Sequence, residues 1–162
     1  MVKEKNMNEI SFEVPGDPYG MPRPRFAGGH AYTPREAVAY KKKVAAKFYE
    51  AIRKKGWLRW TAQEAAEVYI IACFRIPKTI TKATRERIAQ GEERPLKKPD
   101  IDNIEKIITD ALNGEAYQDD RQITKSVCEK VYAPEGTEPC VDVVIRARGR
   151  INAEPIAQQR GE

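Results

Sequence analysis

The chain contains 162 residues, of which 33% are charged and 41% hydrophobic, and its formal net charge is +5. This length suits one domain with a sizeable core. No apolar run approaches the ~20 residues that a membrane-spanning helix needs, and residues 1–6 are too polar for the start of a signal peptide. The composition therefore argues against a membrane or secreted protein. It predicts a cytoplasmic globular domain over residues 1–147 and a polar, flexible tail over residues 148–162.

Metal and cofactor ligands are few outside the carboxylates. Cys73, Cys128 and Cys140 lie far apart in segments with strand character, which favours reduced, buried thiols. One histidine and no Cys-x-x-Cys pair leave few ligands for zinc, so we expect any metal to be bound by oxygen atoms. The sequence also lacks a glycine-rich loop that would cradle the phosphates of a nucleotide, and we expect no small-molecule cofactor.

Charge is distributed unevenly along the chain. Residues 1–98 contain 21 lysines and arginines against 11 aspartates and glutamates, whereas residues 99–162 contain 8 against 13. The basic part suggests a polyanionic partner, and the acidic part suggests a cation. An ordinary solvated surface is the alternative interpretation.

The first third of the chain predicts a strand, an extended arm, a hairpin and a long helix. Residues 8–14 alternate in polarity as a half-buried strand does. Residues 15–24 include four prolines and two glycines, which favours an extended arm. Gly28-Gly29 is typical of a two-residue hairpin turn. Thr33 and Pro34 predict the start of a helix that runs to Lys55. Its apolar face should contain Val38, Val44, Ala45, Phe48 and Ile52.

The rest of the chain predicts three strands and two helices. Residues 66–76 are apolar enough for a central strand, and residues 81–90 resemble a charged surface helix. A second main helix should begin at Ile101 and end before Asn113-Gly114. Residues 122–133 and 138–147 predict two strands that form a closing hairpin. The apolar face of the second main helix should contain Ile101, Ile104, Ile108, Ala111 and Leu112.

Carboxylates cluster around this second helix. Asp100 precedes its first turn, and Asp102, Lys106 and Asp110 recur every four residues along one side. Clustered carboxylates repel one another unless a divalent cation offsets the repulsion, and magnesium is the natural ion for oxygen ligands. Lys106 is placed to meet negative charge on a phosphate. A loop of about six residues then leads to the pair Asp119-Asp120.

Each of these residues also has a simpler interpretation. Asp100 is a common N-cap residue, and Asp102 favours the positive end of a helix. Lys106 suits ordinary surface ion pairs with Asp102 and Asp110, and Asp119-Asp120 suits a turn. An EF-hand is ruled out, because such a loop needs glycine at its sixth position.

The residues KPDIDNIEK at 98–106, DALNG at 110–114 and DDRQI at 119–123 resemble the RusA family of Holliday junction resolvases from phages and prophages. RPRF at 23–26 and AYTP at 31–34 extend the resemblance towards the N-terminus. It implies a small α+β fold with two main helices packed on a mixed sheet, and a homodimer. It also implies magnesium-dependent paired nicking of four-way DNA junctions.

The resemblance transfers roles to individual residues of this chain. Asp100, Asp102 and Asp120 correspond to the catalytic and metal-binding carboxylates, with Asp119 as the neighbouring candidate ligand. Lys106 matches the essential lysine of the family. Many relatives have a lysine before the Arg-Pro-Arg arm, where this chain has Met21, so a phosphate contact there is less well supported.

Branched DNA is the expected partner, bound through its backbone. The alternatives are a nuclease for flaps or replication forks, and a non-catalytic DNA-binding protein with a structural cation. Lysine among the carboxylates favours catalysis, since storage of a cation does not require it. The candidate DNA-binding residues are Arg23, Arg25, Lys41, Lys42 and Lys98.

Overall fold

A four-stranded mixed sheet is the centre of the fold. The computed structural model describes residues 9–55 and 64–148. The strands are β1 (Glu9–Pro15), β4 (Ala65–Phe74), β5 (Ile123–Tyr132) and β6 (Cys140–Arg148), in the order β1-β6-β4-β5. β5 is parallel to β4, and the other two neighbouring pairs are antiparallel. This confirms the predicted mixed sheet and the central position of β4.

The core lies on one face of this sheet. Strand residues alternate between the two faces, and β6 buries Val141, Val143 and Ile145 on the core face. The opposite face of β4 and β6 carries Tyr69, Ile71, Cys73, Cys140, Asp142 and Val144, with Ile71 being 41% exposed.

Two helices cover the core face, as predicted, and a third is superficial. α1 (Arg35–Lys55) packs on β1 and on α3 (Ile101–Leu112), which also contacts β5. The short helix α2 (Lys82–Ala89) buries none of its residues and is capped by the Thr81 side chain. The α+β class, with two main helices against one sheet, is therefore confirmed.

The residues of α1 and α3 that face the core differ slightly from those predicted. Val38 is 37% exposed and Ala37 is fully buried, so the inner face of α1 starts one residue earlier than predicted. On α3, Ile101 is 45% exposed because it lies in the first turn, at the open end of the helix. Ile107 joins Ile104, Ile108, Ala111 and Leu112 in the core instead.

The arm and the hairpin follow β1. β2 (Arg25–Ala27) and β3 (His30–Tyr32) pair around Gly28 and Gly29, whose φ angles are +57° and +80°. Positive φ at both turn positions is the geometry that a two-residue hairpin requires, and glycine adopts it without a steric penalty. The predicted hairpin is therefore confirmed at its predicted residues.

The predicted closing hairpin is wrong. β5 and β6 are consecutive in the chain, but β4 lies between them in the sheet. Residues 133–139 therefore cross two strand spacings, about 10 Å, rather than forming a tight turn. An alternating pattern identifies a strand but not its neighbour, which is why this error arose.

The last strand and the first long helix end close to the residues that the sequence predicted. β6 extends through Arg148, one residue beyond the predicted boundary, and the rest of the predicted tail lies outside the described residues. The predicted end of α1 at Lys55 is confirmed, whereas Gly56 lies outside them. Among the described residues, no helix is long and apolar enough to cross a membrane.

Candidate active site

The N-terminus of α3 presents two exposed carboxylates, those of Asp100 and Asp102. Asp100 occupies the N-cap position with φ −70° and ψ 152°, but its side chain makes no capping hydrogen bond. An N-cap aspartate usually accepts a bond from the backbone of the first turn. The Asp100 side chain is instead 58% exposed, with Lys98 Nζ 3.9 Å from Oδ2. Asp102, in the first turn, is exposed as well. The helix therefore does not use the Asp100 carboxylate for its own capping.

The arm forms the opposite wall of an open groove at this helix end. The groove has a volume of about 710 Å³, and Asp100, Asp102, Lys98 and Arg23 are among its lining residues. It brings carboxylates and cationic side chains from distant parts of the sequence together. A surface of this kind can hold a cation and a phosphate side by side.

Backbone contacts fix the arm against α3. Met21 N donates a 2.8 Å hydrogen bond to Asn103 O. A Cβ at Gly20 would lie 2.6 Å from Pro99 Cβ and 3.1 Å from Asn103 Cβ, so only glycine allows this approach. Tyr19 stacks on Tyr40 of α1 with ring centroids 5.3 Å apart. The sequence pattern did not indicate these anchors, although a glycine within a proline-rich arm was the available signal.

Lys106 lies on the exposed side of α3, as predicted. Its side chain is 62% exposed, and Nζ is 3.3 Å from Asp110 Oδ1. Asp102, Lys106 and Asp110 follow one another along that side, one helical turn apart. The pair with Asp110 is one of the two ordinary surface ion pairs that the simpler interpretation expected for Lys106. It leaves most of the ammonium group accessible to an incoming phosphate.

Asp119 has a structural role in the loop after α3. Its Oδ1 accepts hydrogen bonds from Arg121 N at 2.9 Å and from Arg121 Nε at 3.0 Å. Gln122 Oε1 accepts from Asp119 N, which completes a capping box around the 3-10 turn Asp120–Gln122. The bond from Arg121 N holds the pKa of Asp119 below its usual range. Asp120 remains exposed, so of the two it is the better placed to bind a metal.

The aspartate pair lies beside the C-terminal half of α3. Tyr117 OH donates a 2.6 Å hydrogen bond to Thr109 O. Burial raises the pKa of Tyr117, and the nearby carboxylates of Asp120 and Asp110 raise it further. Asp110 is about 12 Å along the helix from Asp102.

The four candidate metal ligands therefore do not meet at one point. Within the described parts of the chain, no three oxygens from the predicted carboxylates lie within 4.8 Å of one another. Asp100 and Asp102 line one groove, and Asp119 and Asp120 are not among the residues that line it.

The candidate DNA-binding residues are exposed or partly exposed around these elements. Arg23 lines the groove, and the Lys98 side chain is 89% exposed. Arg25 is exposed on β2. On α1, Lys42 is exposed and Lys41 is half-buried, and neither has an ion pair among the described residues. Other lysines of that helix bind protein groups, such as Lys43 to Pro15 O and Lys55 to Glu9 O.

Two comparisons with known proteins bear on the identity of the chain. The family model described as Endodeoxyribonuclease RusA matches residues 15–146, which include the arm, α3 and the aspartate pair. A Bacillus subtilis (strain 168) protein described as uncharacterized protein YqaN is 33% identical over 147 residues, which cover 86% of this chain and 97% of that protein. The resemblance that the motifs indicated is thus confirmed over most of the sequence, and the chain belongs to the RusA family of endodeoxyribonucleases.

Proposed function

We propose that this protein is a magnesium-dependent endonuclease that resolves four-way DNA junctions by paired hydrolysis of phosphodiester bonds. The observation that carries the proposal is the groove at the N-terminus of α3. There, the Asp100 carboxylate is not used to cap its helix, and Asp102, Lys98 and Arg23 line the same surface. Family membership supports the reaction class.

The residues at this helix end fit a magnesium ion. Magnesium takes one or two carboxylates, retains several waters and completes its coordination with phosphate oxygens of the substrate. Asp100 and Asp102 offer exposed carboxylates and leave room for waters and for phosphate oxygens of the substrate. When bound, the ion would lower the pKa of an attacking water and polarise the phosphate.

The remaining groups act on the DNA. Arg23 and Lys98 attract the phosphate backbone into the groove, a contact that does not depend on base sequence. Lys106 meets the negative charge that develops on the phosphate in the transition state. Arg25, Lys41 and Lys42 extend the basic surface towards the arms of the junction.

The active form in this proposal is a symmetric homodimer. A junction has two strands to cut at related positions, and one chain offers one pair of groove carboxylates. Asp120 lies beside the C-terminal half of α3, and this position supports a second role for the dimer, the completion of the metal site. We place Asp120 of one copy with Asp100 and Asp102 of the other, so that two composite sites form.

Mixing inactive variants tests this arrangement. Asp100→Asn and Asp120→Asn subunits are each expected to be inactive alone. In a mixed dimer with composite sites, one site carries both substitutions and the other carries none. Restored nicking of a cruciform plasmid is therefore expected on mixing. If all ligands come from one chain, the mixture stays inactive. Failure of this test would leave the proposed nuclease activity intact and remove only the composite site.

The substrate class has two competitors. One is a nuclease for flaps or replication forks, and the other is a DNA-binding protein with a structural cation. Synthetic four-way, three-way and linear duplex DNA, incubated with and without magnesium, distinguish them. We expect symmetric cuts in the four-way junction only when magnesium is present. Preferential cutting of three-way DNA would favour the flap nuclease, and binding without cutting would favour the structural-cation protein.

A further inference from the structure

Two cysteines far apart in sequence meet on the sheet face opposite the helices. Cys73 of β4 and Cys140 of β6 are direct partners in the antiparallel ladder. Asp142 lies two residues after Cys140, on the same face of β6. The two Sγ atoms and a carboxylate oxygen of Asp142 all lie within 4.8 Å of one another. Cys73 is 7% exposed, and the other two residues are half-buried.

The sheet fixes the backbone positions of these three residues relative to one another. β4 and β6 pair along nine residues, from Ala65–Arg148 at one end to Cys73–Cys140 at the other. In a tetrahedral zinc site, sulfur and oxygen ligands lie 2.0–2.3 Å from the ion, which separates neighbouring ligands by roughly 3.3–3.8 Å. Atoms within 4.8 Å of one another need a contraction of at most about 1.5 Å. Rotation of side chains supplies that without movement of the strands.

The local charges favour a cation. Glu13 of β1 is the ladder partner of Asp142, so a second carboxylate adjoins the cluster. A divalent cation at this point would offset the repulsion between these groups.

We propose that Cys73, Cys140 and Asp142 form a binding site for a thiophilic divalent cation such as zinc, with water in the fourth position. Soft thiolate ligands favour zinc over magnesium, so this site and the groove at α3 select different ions. The site ties the end of β4 to β6 on the face that the helices leave open. It departs from the expectation that any metal in this protein is bound by oxygen alone, because no motif in the sequence indicates that these cysteines meet.

Cobalt titration provides a readout that is independent of nuclease activity. Reduced protein is kept under anaerobic conditions with excess magnesium, so that the exposed carboxylates do not compete for cobalt. We expect one equivalent of Co²⁺ to produce sulfur-to-cobalt charge-transfer absorption and the d–d bands of tetrahedral coordination. Zinc should displace the cobalt and abolish both features.

The three cysteines supply a matched set of variants. Cys73→Ser and Cys140→Ser should each weaken the charge-transfer band and lower affinity for zinc by at least tenfold. Cys128→Ser should leave both unchanged, because Cys128 on β5 packs against the core cluster instead. Asp142→Asn keeps all three thiols and should also bind zinc at least tenfold more weakly, which covers the case in which a serine variant fails to fold.

Thermal stability gives a second readout. At a zinc concentration of 100 times Kd, the melting temperature of the wild type and of Cys128→Ser should rise by roughly 5 °C or more. Cys140→Ser should show no such rise. The proposal is overturned if the cobalt spectrum is the same in all variants, or if wild-type protein binds no zinc through its cysteines after reduction. A Cys73–Cys140 disulfide in the isolated protein, with no cysteine-dependent zinc binding after reduction, would overturn it as well.

Discussion

Substitution of Gly20 by alanine tests whether the fit between the arm and α3 builds the groove. The new Cβ would lie 2.6 Å from Pro99 Cβ, whereas carbon atoms in contact lie about 3.5–4.0 Å apart. The arm must therefore move by about 1 Å, which lengthens the hydrogen bond from Met21 N to Asn103 O. Overpacking of this kind costs about 1–3 kcal/mol. For a chain of this length, the melting temperature should fall by roughly 2–12 °C.

The rate of DNA cleavage by Gly20→Ala should fall by more than its loss of stability explains. Movement of Arg23 by about 1 Å from the groove carboxylates is enough to cost on the order of 100-fold in rate. The assay is single-turnover cutting of a four-way junction at a temperature where both proteins are fully folded. Gly136→Ala is the control, because Gly136 has a φ of +79° in the loop before β6 and no atom within 4 Å of an added Cβ.

Gly136→Ala should lower the free energy of unfolding by about 1–2 kcal/mol through backbone strain and should still cut DNA at the wild-type rate. If Gly20→Ala melts and cuts like the wild type, the arm does not depend on this contact. If both variants lose cleavage equally, general instability explains the loss, and the reasoning about the groove fails.

Three further comparisons test the charge of Lys106, the DNA contact of Arg23 and the separate roles of Asp119 and Asp120. Lys106→Ala should cut at least 100-fold more slowly with a melting temperature within about 1 °C of wild type, since its ion pair is exposed; a large drop in melting temperature would indicate a structural lysine. Arg23→Ala should weaken binding to DNA of every sequence and reduce by about one the slope of log binding constant against log salt concentration. Lys82→Ala on α2 is the control and should leave this slope unchanged. Equal slopes for the two variants would exclude a phosphate contact by Arg23. Asp119→Ala should lower the melting temperature, because the capping bond from Arg121 N is lost, and should keep cleavage. Asp120→Asn should lose cleavage and keep the wild-type melting temperature; the reverse result would exchange the two roles. The pKa of Asp119 is lowered in the folded state, so the ionised carboxylate stabilises the fold near neutral pH, and this effect is lost as pH falls through the lowered pKa. The difference in melting temperature between wild type and Asp119→Ala should therefore shrink in acid.

Local chemistry explains what the sequence predicted well. Gly28-Gly29 allows positive φ twice in succession, and that requirement alone identifies the hairpin. The motif around Asp100 places the start of α3 at the observed residue. Alternating and helical periodicities also identified every main strand and helix, because each element must bury one face against the same core.

Long-range geometry explains what it did not predict. The interposition of β4 between β5 and β6 depends on packing across the whole sheet, and no local signal records it. The meeting of Cys73 with Cys140 follows from that strand order. The separation of Asp120 from Asp100 depends on where Tyr117 anchors the return loop, at Thr109 O near the end of α3. Cytoplasmic residence, the homodimer and the lack of a small-molecule cofactor stay predictions.

The most direct test of the central claim compares Asp100→Asn and Asp102→Asn with the wild type on a four-way junction in magnesium. Cleavage and binding are measured on the same preparations. Removal of a carboxylate removes a metal ligand and also repulsion of phosphate, so both variants should lose at least 100-fold in cleavage while junction binding is kept or tightened. Near-normal cutting by both variants would contradict the account, because the groove at the N-terminus of α3 would then not be the catalytic site.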